Sequence, residues 1–283
     1  MSQVRIVTDS TADIPAELRE KLGIAMVPLK VLFGQEVFRD AVDIGPEQFY
    51  AKLAESSDIP TTSQPSPVEF QEMYQKLAEE GDGPIISIHL SSKMSGTYQS
   101  AVLAKSMIEG DADIEVVDSR SASYGNGLLV VAAAEAAKQG KSKKEILELI
   151  TKLRQEQRLY FLVDTLEYLQ RGGRIGKAAA LFGSLLNIKP ILSLAAEGEV
   201  YSVDKIRGQK KAMNRIVDLL QQDMGGKPIH LILGYTTERE TVEELKSLIS
   251  QHFTLESVHY THIGPVIGTH VGPGTVAVFA VPV

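Results

Sequence analysis

Three short apolar runs, VRIVT (4–8), PIISIHL (84–90) and IEVVDS (114–119), each end in a hydroxyl-rich loop, and this recurrence constrains the fold more tightly than any other feature of the sequence. The loops read DSTAD (9–13), SSKMSG (91–96) and RSASYGNG (120–127). Short β-branched runs of this kind fit strands buried on both faces, as in a parallel sheet whose crossover helices cover both sides. The helices are legible between them. PAELREKLG opens on Pro15 and closes on Gly23, the usual order of helix punctuation. SPVEFQEMYQKLAEEG and SKKEILELITKLRQEQ each begin with a capping box, Ser66 with Glu69 and Ser142 with Glu145. In an open parallel sheet the ligand crevice lies beyond the carboxyl ends of the strands, so the three loops should meet on one rim. A fourth polar segment, PTTSQPSP (60–67), leads into the helix capped by Ser66 and could reach the same rim.

From about Leu159 the texture changes. LYFLVD leads to a Gly- and Arg-bearing loop, then to KAAALFGSLLN (177–187), which reads as an apolar helix. KPILSLAAEGEVYSVDKIR reads as two strands joined through a turn at Glu197 to Glu199, and helix, strand, helix and two more strands follow, ending in TVAVFAVPV. These patterns predict an α/β protein of two domains. Residues 1–158 should form a three-layer α/β/α domain with a mainly parallel sheet, and residues 159–283 an α/β domain with a mixed sheet. The cleft between them is the natural place for a ligand.

Composition removes several classes of function. A net charge of -7 without a long basic run argues against nucleic acid or an anionic membrane as a standing partner. The chain has no cysteine, which excludes disulfides, thiol catalysis and cysteine-bound metal. The most apolar stretch, GLLVVAAAEAA, is interrupted by Glu135 and is too short to span a bilayer, and the first residues lack the charged and apolar regions of a leader. A soluble, cytoplasmic protein without stable membrane insertion is the expectation.

The loop hydroxyls could be nucleophiles or could hold an anion. A hydrolase elbow needs G-x-S-x-G, and SKMSG lacks the leading glycine; a Ser-x-x-Lys pair is also missing, because Lys93 follows Ser92 directly. RGGRIGKAAA is not a Walker A loop, since Arg171 stands where its first glycine is needed, and no metal-binding H-E-x-x-H occurs. Ser95 and Gly96 precede a helix expected to start near Thr97, whose free N–H groups and dipole suit a carboxylate or phosphate. Taken alone, a Ser-Gly pair is as well explained by capping of its own helix. His89 and His230 lie inside apolar strands and read as core or edge residues. His270 lies in the glycine- and proline-rich IGPVIGTHVGPG, read as a loop that could aim one imidazole at a ligand.

DSTAD, TTSQPS, SSKMSGTYQSA, LEYLQRGGRIGKAAALFGSLLNIKPIL and GTHVGPG, in this order, resemble the DegV family of bacterial fatty-acid-binding proteins over nearly the whole chain. The family loop usually carries Gly and Leu where this chain has Lys93 and Met94. The resemblance implies a protein that is not itself an enzyme, with no catalytic residue, metal or cofactor, whose cargo is one fatty acid such as palmitate or stearate in an apolar tunnel. Its partner would be a separate fatty acid kinase, which converts the bound carboxylate to an acyl phosphate. By similarity, Thr62, Ser95 and His270 should contact the carboxylate, with Ser63 and Gly96 in support. Arg171, Arg174 and Lys177 should lie near the cleft mouth or the kinase-docking surface. Two other readings stand beside this one: an acyl-ester hydrolase acting through Ser95 and His270, and the sugar-binding part of a dihydroxyacetone kinase, which would need a histidine placed for covalent attachment.

Overall fold

A computed structural model describes residues 3–57, 59–110, 112–183 and 188–283. The chain begins β1 (Arg5–Asp9), α1 (Ala16–Leu22), β2 (Ala25–Val27), β3 (Lys30–Phe33), β4 (Glu36–Arg39), α2 (Pro46–Glu55), β5 (Thr61–Ser63) and α3 (Pro67–Glu80). It continues through β6 (Ile85–His89), α4 (Thr97–Ser106), β7 (Ile114–Asp118), α5 (Tyr124–Lys138) and α6 (Lys143–Glu156). Then come β8 (Arg158–Leu162), α7 (Glu167–Arg171), β9 (Ile188–Leu194), β10 (Val200–Arg207) and α8 (Gln209–Met224). The last elements are β11 (Ile229–Tyr235), α9 (Arg239–Ser250), β12 (Leu255–His262), α10 (Pro265–Val271) and β13 (Val276–Pro282).

The first sheet is parallel throughout, in the order β2-β1-β6-β7; β1, β6 and β7 are the runs expected from the sequence, and β2 adds an edge strand that was not. The second has six strands in the order β10-β9-β8-β13-β11-β12, of which only β11 and β12 run parallel. The capping boxes hold: Ser66 and Ser142 accept from the N–H of Glu69 and Glu145, whose carboxylates bond back to the cap N–H groups.

Helices and sheets alternate in layers. α3 and α4 cover one face of the parallel sheet, where Phe70, Tyr74 and Ala101 pack on Val7 and Ile85. α5 and α6 cover its other face and at the same time pack against the six-stranded sheet, joining Ile86 and Ile88 to Phe161 and Phe279 in one core. The apolar GLLVVAAAEAA is therefore a helix buried on both sides, which is why it shows so little amphipathicity. α8 and α9 close the outer face of the six-stranded sheet.

Three further segments depart from the sequence expectation. A small antiparallel sheet, β4-β3-β5, was not anticipated; it takes TTSQPS out of a loop and makes Thr61–Ser63 a strand paired with Leu32 to Lys30. KAAALFGSLLN is not an α-helix over its described part: Gly176–Leu181 is a 3-10 turn, bounded by Gly176 (φ 53°) and Gly183 (φ 82°), and residues 184–187 lie outside the described residues. Left-handed glycines at both ends stop an α-helix from forming. Finally, His270 sits in the last turn of α10 and not in a loop. Gly264 as N-cap and Pro265 at the first helical position give that helix a regular start, which its many glycines obscure in the sequence.

Candidate functional site

The three hydroxyl loops meet on one rim. Leu90 N–H donates to Asp9 Oδ2 (3.1 Å), Ser91 N–H to the Ser121 carbonyl (2.8 Å), and Ser123 Oγ to Asp13 Oδ2. β5 brings the fourth segment alongside, where Gln64 Nε2 donates to Ser100 Oγ of α4 at 3.2 Å. α4 begins at Thr97, as the sequence predicts, with Gly96 as its N-cap. Ser95 Oγ accepts from Thr97 N–H (3.3 Å) and bonds the Thr97 hydroxyl (2.9 Å), so it caps its own helix while also lining a cavity.

That cavity, of about 380 Å³, lies between the rim and the six-stranded sheet. Its walls are mostly apolar, with Leu90 and Met94 from the rim, Leu159 and Phe161 from β8, Ala277 and Phe279 from β13, and Val266 and Ile267 from α10. Thr62, Ser63, Ser95, Arg174 and His270 supply polar groups. Gly96 does not line it; the space that a side chain there would need is filled by Gln64, 2.3 Å from the position of a Cβ. Thr62, Arg174 and His270 also face a second, polar hollow together with Thr61, Arg171 and Gly172, so they stand where the apolar cavity opens outward.

Thr62 and His270, 208 positions apart in the chain, share a hydrogen bond of 2.8 Å between Oγ1 and Nε2. The other ring nitrogen, Nδ1, is buried and has no protein partner. Burial, helped by the nearby Arg174 guanidinium, lowers the His270 pKa to about 4, so the imidazole is neutral near pH 7. Gly172 is required here by space: a Cβ would fall 2.2 Å from His270 Nδ1.

The basic loop divides. Arg174 donates from Nε to the Met94 carbonyl (2.9 Å) and from Nη1 to Gly172 O (2.6 Å), tying the loop after α7 to the serine loop and lining the cavity. Arg171 is exposed and paired with Glu167, and Lys177 is exposed and paired with Glu197 and, at 3.6 Å, Glu199.

A hydrolase arrangement is not assembled at the cavity: the hydrogen-bond partner of Ser95 Oγ is Thr97 and that of His270 is Thr62. An Asp–His–Ser chain does exist elsewhere. Asp9 Oδ2 meets His89 Nδ1 at 2.9 Å, His89 Nε2 meets Ser87 Oγ at 2.7 Å, and Tyr74 OH donates to the same hydroxyl at 2.8 Å. Asp9, Ser87 and His89 are fully buried, so this chain ties β1 to β6 and has no access to a substrate. Among the described residues, no group of His, Asp and Glu is arranged to hold a metal ion, and no helix is long and apolar enough to cross a membrane.

Sequence reasoning missed most of the cavity wall. The signal was present as alternation: Leu159 and Phe161 face the cavity while Tyr160 and Leu162 face the α8–α9 core, and Ala277 and Phe279 alternate in the same way with Val276, Val278 and Ala280.

Known proteins share this architecture. The chain is 40% identical over 282 residues to a DegV domain-containing protein of Caldanaerobacter subterraneus subsp. tengcongensis, covering 99% of each. A solved DegV family protein of Thermus thermophilus, described for its fatty acid binding, superposes with a TM-score of 0.93 at 38% identity over 100% of both chains. DegV of Bacillus subtilis, described as a fatty acid binding protein, does so with a TM-score of 0.90 at 36% identity, again over 100% of both. With the model of the family described as "Uncharacterised protein, DegV family" matching residues 3–283, this chain belongs to the DegV family.

Proposed function

We propose that this protein binds one long-chain fatty acid, with the acyl tail in the apolar cavity and the carboxylate at Thr62, Ser95 and His270. The observation that carries the reading is the cavity itself: apolar walls from the six-stranded sheet, the rim loops and α10 end at a polar group formed by residues far apart in the sequence. The Thus-described relatives from Thermus thermophilus and Bacillus subtilis, which bind fatty acids, support it. Full burial of about 14 methylenes would contribute roughly 11 kcal/mol before entropy is subtracted. A hydrogen bond to the charged head contributes only about 1.5 to 3 kcal/mol. The tail therefore sets the affinity and the head contacts set the orientation.

That division suits a carrier, not an enzyme. In this reading the protein works in the bacterial cytoplasm and presents the carboxylate to a separate fatty acid kinase, which forms the acyl phosphate. Residues 1–158 and 159–283 act as the two domains between which the cargo lies. Ser63 supports the head group from the cavity lining, and Gly96 does so only as the N-cap of α4. Arg171 and Lys177, both exposed, are the charges available to a docking kinase, whereas Arg174 belongs to the cavity mouth.

Mass spectrometry of lipid released by denaturing the purified protein tests the reading. A long-chain fatty acid at close to one per chain is expected. Protein that releases none, and that takes up none when palmitate or stearate is supplied, would overturn it.

A further inference from the structure

The DSTAD loop ends in a carboxyl group that the cradle around Thr62 and His270 does not use. Asp13 keeps part of its surface open, but its carboxyl group is enclosed. Oδ2 accepts from Ser123 Oγ, Oδ1 accepts from Gly264 N–H at 3.1 Å, and the Asp13 carbonyl accepts from Thr261 Oγ1 at 2.8 Å. A second carboxyl group stands beside it. Asp40 is 1% exposed; Ser10 stabilises its charged form, the Ala41 N–H beside it donates to the Ile44 carbonyl at 3.1 Å, and its Oδ2 is buried without a partner. A Cβ on Gly264 would fall 2.5 Å from Asp13 Oδ1 and 3.6 Å from Asp40 Oδ1, so both carboxyl groups face one backbone point. The backbone is strained around the pair: Asp13 (φ 50°), Ser123 (φ 50°) and Ala41 (φ 59°) all lie in the left-handed region without being glycine.

That backbone point is the root of α10. Thr261, Ile263 and Gly264 are held by Asp13 and by Tyr50 OH, which donates to the Ile263 carbonyl at 2.9 Å. Six residues further on, the same helix presents His270 to Thr62. We propose that Asp13 and Asp40 form a proton-sharing pair that clamps the start of α10, so that they act as positioning residues for His270 and the hold on a bound carboxylate weakens as pH rises. The proposal rests on reading the cradle as a carboxylate site.

Two carboxyl groups facing one enclosed point do not both ionise cheaply. Burial pushes the Asp13 carboxyl well above its ordinary value and Asp40 up to about 7; Asp40 raises Asp13 further, and Asp9 adds to both. The proton belongs to the pair and not to either residue. The surrounding charges do not remove the conflict. Asp9 is taken by His89, Arg19 of α1 lowers Asp40 only as a lesser contribution, and Tyr50 of α2 is raised chiefly by burial and further by the same carboxyl groups. From β12, His262 stacks on Tyr50 (5.7 Å between ring centres) and bonds the Thr236 carbonyl. For an acid whose folded pKa is raised, stability is greatest below its unfolded pKa and is lost as pH rises through the folded value. With Asp40 at about 7, the clamp should slacken from mildly acidic to alkaline pH.

Stearate affinity by displacement of a fluorescent fatty acid, and hydrogen exchange of the ligand-free chain corrected for intrinsic rates, test the clamp between pH 6 and 9. In the wild type, affinity should fall on the order of 5- to 10-fold and the amides of 264–271 should lose protection, the scale of a partial loss of one positioned contact. Asp40→Asn, which keeps an acceptor for Ser10 and cannot ionise, should flatten both profiles; Asp13→Asn serves the same purpose if Asp40→Asn does not fold. Parallel loss of affinity in wild type and variant, or α10 protection indifferent to pH, would overturn the proposal. If the wild type binds no stearate at any pH, the carboxylate reading has failed, and the exchange profile of the ligand-free chain alone decides the clamp.

Discussion

His270 shows how one residue can be both visible and misplaced in a sequence. The lone imidazole among glycines is easy to single out, but its environment depends on Thr62 of β5 and on Gly172 and Arg174 of the loop after α7, two segments far from it in sequence. Held neutral with a free Nδ1, it resembles a base waiting for an acid partner. A carboxylate bound next to it favours the protonated form, so loading should raise its pKa above about 4. NMR titration of the histidine signals with and without palmitate checks this; an unchanged His270 titration would separate it from the head group. Without ligand the sign is opposite for stability: a histidine kept neutral by burial makes the fold less stable as pH falls from 6.5 toward 4. Ser95→Ala should weaken palmitate binding by only about 1 to 2 kcal/mol, since one hydrogen bond is lost and the tail contacts remain. Orientation should suffer more than affinity.

At the scale of elements, legibility followed local chemistry. Capping boxes are short-range and self-sufficient, so Ser66 and Ser142 marked the starts of α3 and α6 correctly. Ser142→Ala should lower unfolding stability by about 1 kcal/mol, seen as a lower urea midpoint with an unchanged slope; no shift would mean the N-terminal turn of α6 is held by packing alone. The parallel strands were legible for the same reason, through composition and punctuation. β5 and α10 were not, because neither is decided locally. TTSQPS becomes a strand only through pairing with β3, and PVIGTHV becomes a helix only where Tyr50, Phe49 and Asp13 accept its glycine-lined surface. The 3-10 turn at Gly176–Leu181 failed in the opposite direction: its composition is helical, and its glycine conformations override it. Thr62, Ser95 and His270 could be named from the resemblance, whereas Phe161 and Phe279 required knowing which face of each strand meets which layer.

At the scale of the whole molecule, β8 and β13 each serve two interiors. Their outer residues belong to the permanent core under α8 and α9, and their inner residues line the cavity. A bound acyl chain would thus be a removable piece of hydrophobic core. Heat stability then becomes a ruler for cargo: each methylene that the cavity accommodates contributes about 0.8 kcal/mol of binding, and ligand that binds only the folded state raises the melting temperature accordingly. Melting curves with saturated fatty acids of increasing length should climb in even steps and then stop or reverse at the length that fills the space. A flat series would mean that the tail lies outside. The turning point gives the tunnel a length in carbon atoms, measured without a partner protein, a label or a crystal.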